Sequence, residues 1–123
     1  MNIIINNASM QPIYEQIVSQ IKAAIMKGSL KEEEMLPSVR ALAKELRVSA
    51  LTVKKAYDEL EAEGVVITVH GKGSFVAHSN QMLLLEQKKK EVEADLENAI
   101  RKGRSCGMTD VELSQLFELV LEE

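Results

Sequence analysis

Apolar residues recur at helical spacing along most of the chain, with one interruption where they become consecutive and β-branched. Pro12 suits the first turn of a helix, and from there Tyr14, Ile17, Ile21, Ala24 and Ile25 keep one face apolar until Gly28 ends the run. This pattern predicts a first, supporting helix whose tyrosine and isoleucines belong to a core. Ser38 is a good N-cap, and Val39, Leu42, Ala43 and Leu46 follow at the spacing of a helix of two to three turns. Val48-Ser49 breaks the period and supplies a second cap; Val53, Ala56, Tyr57 and Leu60 then mark a new stripe that runs to Gly64, a C′ residue. Val65 to Val69 is β-branched throughout, and Ser74 to Ala77 returns as a second run. The glycines of His70-Gly71-Lys72-Gly73 permit the tight reversal between them. Two short helices joined by a turn and followed by such a hairpin make a helix-turn-helix with a wing.

From about Gln81 the period is helical again, and long. Met82, Leu85, Val92, Leu96 and Ala99 form an apolar stripe interrupted by Lys89, while Lys88 to Lys90, Glu91, Glu93, Asp95 and Glu97 supply a charged outer face. Gly103 to Gly107 is expected to break this helix. Thr109-Asp110-Val111-Glu112 then reads as a capping box opening a last helix, whose Leu113, Leu116, Phe117, Val120 and Leu121 are too many apolar groups to leave in water. The surface that suits them is the same pair of helices from a second copy, through Leu85, Val92, Leu96, Leu113, Leu116, Phe117, Val120 and Leu121. The expected fold class is therefore mainly α with a small β wing. A winged helix-turn-helix domain would occupy residues 1–78, and a two-helix dimerisation hairpin 79–123.

Two segments are less determined. Residues 1 to 10 form an arm in which Ile3 to Ile5 lie between asparagines, a composition that suits a β-segment on the wing or on a partner. Lys31 to Glu34, with three consecutive acids, suits a solvated loop, with Leu30 and Met35-Leu36 anchoring it to the core.

A length of 123 residues accommodates one small domain and an appendage, and the two Phe and two Tyr leave the core to aliphatic side chains. No apolar run approaches the roughly 18 residues of a membrane span, and Met1 to Asn6 lacks the charged start of a signal peptide, so the cytoplasm is the expected location. The single cysteine, Cys106, has no CxxC or histidine companion and suits a structural or incidental role better than a redox-sensing one. No metal site and no cofactor is expected. Catalysis has little support: His70 and His78 flank the wing, no Ser/His/Asp or Cys/His set is apparent, and there is no GxxxxGK[ST] phosphate loop.

The net charge of −4 looks wrong for a nucleic-acid binder until it is divided along the chain. Residues 1 to 78 carry nine Lys/Arg and nine Asp/Glu, and residues 79 to 123 carry six against ten. The excess acid sits in the tail. Within the head the acids gather at Glu32 to Glu34 and along Asp58, Glu59, Glu61 and Glu63, whereas Arg40, Lys44, Lys54, Lys55 and Lys72 fall where a helix-turn-helix faces DNA. Placement outweighs the sum, because phosphate attraction acts within about one Debye length, roughly 8 Å at physiological salt. The first turn of the second of these helices, Ala50 to Lys54, is where such a helix reaches base edges in the major groove.

Leu36-Pro37-Ser38, Arg40, Leu42-Ala43, Val48-Ser49, Thr52-Val53, Leu60-Glu61, Glu63-Gly64 and the run from His70 to Ala77 stand in a distinctive order and spacing. In them the chain resembles the winged-helix reader head of the GntR family of bacterial transcription regulators, over roughly residues 11 to 77. The tail is too short for the large effector domains of most branches, so the chain most resembles the small YtrA-type branch. Where the family usually has a Pro-Gly turn before Pro37, this chain has Lys31 to Glu34.

The resemblance implies a DNA-binding surface of Ser38, Arg40, Ser49, Ala50, Leu51, Thr52, Lys54, Lys55, His70, Gly71, Lys72 and Gly73. Arg40 matches the family's principal contact, and its planar fork can grip guanine or a phosphate bidentately. Thr52 and Lys54 match a threonine and a basic residue of the recognition helix. Ala50 and Leu51 depart from the family, many of whose members carry arginine or a polar residue there; neither can hydrogen-bond, and both suit thymine methyls. His70, Lys72 and the two glycines suit a wing tip lying along a sugar-phosphate backbone or entering a minor groove. Tyr57 suits the core, with a phosphate contact through its hydroxyl as the alternative. The expected function is a homodimeric regulator, a repressor in the usual sense of the family, on a double-stranded inverted-repeat operator. A small-molecule effector of unidentified chemistry would act at the dimer interface or the head-tail junction. The rival reading is a winged-helix module that binds protein and not DNA, which the uncharged balance of the head keeps open.

Overall fold

The structure, a computed structural model, describes residues 1–78 and 80–123. Five helices and one hairpin occur in the order α1 (Ile13–Lys27), α2 (Val39–Leu46), α3 (Ala50–Ala62), β1 (Val66–Val69), β2 (Gly73–Val76), α4 (Asn80–Ser105) and α5 (Asp110–Leu121). The chain divides into two compact units, Met1–Leu85 and Glu86–Glu123, with the boundary inside α4. Compactness sets that boundary beyond residue 78, because Leu84 in the first turns of α4 joins the core of the first unit.

In the first unit each helix begins and ends as its local chemistry dictates. Pro12 precedes α1 and Gly28 closes it with φ 81°, where its N–H bonds back to the last turn. Ser38 Oγ accepts the Ala41 N–H at the start of α2, and Ser49 Oγ accepts the Thr52 N–H at the start of α3, each satisfying a donor that the helix cannot. The turn between α2 and α3 needs a left-handed residue, and Arg47 takes it at φ 58°. Helices α1 and α2 both pack on α3, and α3 packs on β1. Ile17, Ile21, Leu42, Val53, Leu60, Val66 and Val76 are fully enclosed between them.

The wing is antiparallel, with Val66 opposite Val76 and Val69 opposite Gly73, so that His70, Gly71 and Lys72 form the loop. Gly71 and Gly73 both have positive φ, 79° and 127°, as the tight reversal requires. The loop after α1 adds a third rung: Met35 bridges to Phe75, and Leu36 N–H donates to Ser74 O at 2.8 Å. Period-two alternation then sends Leu36 inward and Met35 outward. Leu30 and Leu36 anchor the loop, but Met35, expected with them, is 59% exposed. The run Glu32 to Glu34 is exposed, and Glu33 adopts φ 66° in a loop that has no glycine.

The N-terminal arm is neither a strand nor attached to the wing. It lies on α1, where Ile3 and Ile5 pack against the core. Two glutamine side chains pair with its backbone. Gln20 accepts the Ile4 N–H at 2.8 Å and donates to Ile4 O at 2.7 Å. Gln16, the buried polar residue of the core, accepts the Asn6 N–H and donates to Asn6 O and Gln11 O.

In the second unit α4 and α5 form a hairpin. The expected break at Gly103 to Gly107 is shorter: α4 runs through Gly103 to Ser105, and the chain reverses at Cys106-Gly107, with Gly107 at φ 88°. Gly103 is a packing residue, since a Cβ there would collide with Leu113 Cδ2. The capping box at Thr109 and Glu112 forms in full, and Arg104 reaches Asp110 at 3.2 Å across the reversal.

Candidate nucleic-acid interface

The buried stripe of α3 is Val53, Ala56, Tyr57 and Leu60, so the opposite side, beginning with Leu51, faces out. Tyr57 is committed to the interior: its hydroxyl donates to Pro37 O at 2.7 Å, and burial pushes its pKa up. That bond ties the Leu36-Pro37-Ser38 segment, and with it the start of α2, to the reader helix. It also removes the hydroxyl from any role with phosphate. On the other flank Thr68 Oγ1 donates to Glu61 Oε2 at 2.9 Å, tying β1 of the wing to α3.

Arg40 lies in the first turn of α2 with its side chain exposed, and Lys44 is exposed one turn on. Among the described residues neither side chain has a hydrogen bond or ion pair, and the same is true of the His70 and Lys72 side chains at the wing loop. These four groups are free to meet an anionic backbone. Ser38, Ala50, Leu51, Gly71 and Gly73 are exposed as well, and Thr52 is half-buried.

The polar groups in the first turns of α3 are engaged. Ser49 Oγ and Thr52 Oγ1 lie 2.7 Å apart. Lys54 Nζ donates to Asp58 Oδ2 at 2.8 Å, an i,i+4 pair that holds the ammonium pKa above its usual value. Lys55, expected on the DNA-facing surface, lies with its ammonium 4.0 Å from the centre of the Tyr14 ring on α1. Asp58, Glu59 and Glu61 fall in the second half of α3 and Glu63 caps its end, leaving the N-terminal turn free of acids.

Sequence reasoning did not single out Arg47 as part of this surface. Its exposed side chain leaves the turn between the two helices, and its positive φ is a feature that sequence signals only through glycine or asparagine.

In the second unit the residues expected at a dimer interface mostly stand in the open: Val92, Leu96, Leu116, Phe117, Val120 and Leu121 are exposed, as is Leu85 at the end of the first unit. Leu113 is half-buried instead, seated against Gly103 within the hairpin. Ile100 and Leu119 add to the exposed set and were not singled out. Between α4 and α5 runs an almost wholly apolar groove of about 830 Å³, lined by Leu96, Ile100, Leu113, Leu116, Phe117 and Val120 among others.

A three-helix head whose second and third helices are joined by a left-handed turn, with a hairpin tied to the third, is a winged helix-turn-helix. The profile of the bacterial regulatory proteins, gntR family, matches residues 13–76. The chain is 38% identical to the HTH-type transcriptional repressor YtrA of Bacillus subtilis (strain 168) over 118 residues, 96% of this chain and 88% of that protein. It superposes on a transcriptional regulator from Oenococcus oeni with a TM-score of 0.80 at 30% identity, covering 95% of this chain and 97% of the other. It also matches the DBD of AraR solved in complex with operator, with a TM-score of 0.55 and 30% identity over 60% of this chain and 92% of that one. The chain belongs to the gntR family of bacterial regulatory proteins, and it is a transcriptional regulator, not an enzyme.

Proposed function

We propose that the chain is a cytoplasmic, sequence-specific repressor that binds double-stranded DNA as a homodimer on an inverted-repeat operator. The observation that carries this reading is the free front of the head. The N-terminal turn of α3 is clear of acids and exposes Ala50 and Leu51, and among the described residues the side chains of Arg40 and Lys44 on α2 and of His70 and Lys72 on the wing of the same compact unit are unpaired. Helix dipoles strengthen it, since α2 and α3 are both capped by serines at N-termini that favour anions. The likeness to a DBD solved with operator supports the same use of this surface. Ser38, Arg40, Ser49 to Thr52, Lys54, Lys55 and His70 to Gly73 form the proposed DNA contact. Arg40 grips a guanine or a phosphate, and Lys72 with its glycine neighbours tracks the backbone.

Residues 79–123 serve as the dimerisation tail. A two-helix hairpin has no second layer on which to bury Val92, Leu96, Leu116, Phe117, Val120 and Leu121, and a second copy of the same hairpin offers a matching apolar surface. Two heads so joined call for half-sites about one helical turn apart, roughly 34 Å. Membrane attachment has no part in this reading, and among the described residues no helix is long and apolar enough to span one.

Selection of bound sequences from random duplexes, paired with light scattering, tests the proposal: an inverted repeat and a two-copy particle are expected. Arg40→Ala should keep the fold and weaken binding to the selected duplex by about tenfold or more, within the roughly 1–3 kcal/mol of a bidentate contact. Unchanged binding by that variant would point to a protein-binding head.

A further inference from the structure

We infer that Leu51, beside exposed Ala50, reads thymine by its C5-methyl group and is the specificity-determining side chain of α3. The inference rests on the DNA-binding reading above and adds which chemical feature of the duplex the helix selects. Every side chain in the first turns of α3 that can hydrogen-bond to a base edge already has an internal partner. Ser49 Oγ accepts the Thr52 N–H at 3.1 Å and lies 2.7 Å from Thr52 Oγ1, so the two hydroxyls are engaged with each other. Lys54 is held by Asp58 at 2.8 Å, and Lys55 sits over Tyr14. The group left facing out is Leu51, 79% exposed, on the side opposite the buried stripe of Val53, Ala56, Tyr57 and Leu60. Covering it is favourable in proportion to the apolar area removed from water.

In the major groove the one apolar group on a base edge is the thymine methyl; the other edges present donors and acceptors. Leucine against guanine, adenine or cytosine strips water from those groups and returns no hydrogen bond, so it discriminates by penalty as well as by attraction. The helix therefore differs in kind from Arg40, which reads or holds by a charged fork.

The test starts from the duplex that the full-length protein selects from a random pool. Each thymine of one half-site is replaced singly by uracil, which removes the methyl and leaves every hydrogen-bonding group in place. Wild-type protein should lose about three- to fivefold in affinity at one or two positions, the size set by one buried methyl group. At the same positions 5-methylcytosine should be bound more tightly than cytosine. Leu51→Ala, an exposed substitution whose fold is checked by circular dichroism, should erase the uracil penalty, while Lys72→Ala should weaken binding to thymine and uracil duplexes alike. A uracil duplex bound as tightly as its thymine parent at every position overturns the inference, and so does a penalty that persists in Leu51→Ala. Failure to enrich any duplex overturns the DNA-binding reading itself, a result distinct from these two.

Discussion

In Met1–Leu85 the chain encloses its own aliphatic side chains: Ile17, Ile21, Val53, Ala56 and Leu60 have no exposed surface. In Glu86–Glu123 the one buried residue is Gly103, and α5 buries none of its side chains. The two units have similar apolar stripes and differ in how many layers they can bring against them. Three helices, a hairpin and the docked arm surround a core from several sides, whereas two helices have only each other. The head thus encloses its own core, and the tail leaves an apolar surface open, which on the proposed reading a second copy covers.

Substitutions can break or sharpen that division. The largest effect should come from Leu60→Ala, which removes a fully enclosed side chain in α3 and should cost the head about 2–5 kcal/mol. If the head is self-sufficient, the fall in its thermal unfolding temperature will be the same at low and high protein concentration. Next, Phe117→Glu places a charge on the open face of α5 and should weaken self-association by more than tenfold, over roughly 1.4 kcal/mol, as read by light scattering across a dilution series. The head transition should be unmoved by this change, and persistence of the two-copy particle would break the assignment of the tail. The smallest effect is a gain. Arg47→Gly relieves a left-handed φ of 58° and should stabilise the head by about 0.5–1 kcal/mol with no change in self-association. Denaturant midpoints of the two proteins will show its sign.

Much of the architecture was legible because its signals are local. Ser38 and Ser49 cap the helices they precede, Gly28 and Gly107 adopt the left-handed conformations that end helices, and Thr109 with Glu112 closes its capping box. A cap needs only the next three residues, so neighbouring identities suffice to foresee it. Of the residues singled out from the sequence as candidate contacts, Arg40, Ala50, Leu51 and the wing loop are exposed and Thr52 is half-buried. The placement of Lys55 was not legible, because its partner Tyr14 lies on another helix; the Lys54–Asp58 pair is local, at i,i+4.

The sequence by itself determined the caps that start α2, α3 and α5, the glycine that ends α1, which face of each helix is apolar, and where the chain reverses in the wing. Tertiary structure alone decided the rest. Gln16 and Gln20 hold the arm on α1, not on the wing. Leu84 faces the head core while Leu85 beside it is 39% exposed. Gly103 is kept side-chain-free by the approach of Leu113, not by a turn. Each of these depends on a group well removed along the chain. The physical reason is that hydrogen-bond reach and helical period act over a few residues, whereas packing and polar satisfaction are set by whichever distant surface arrives.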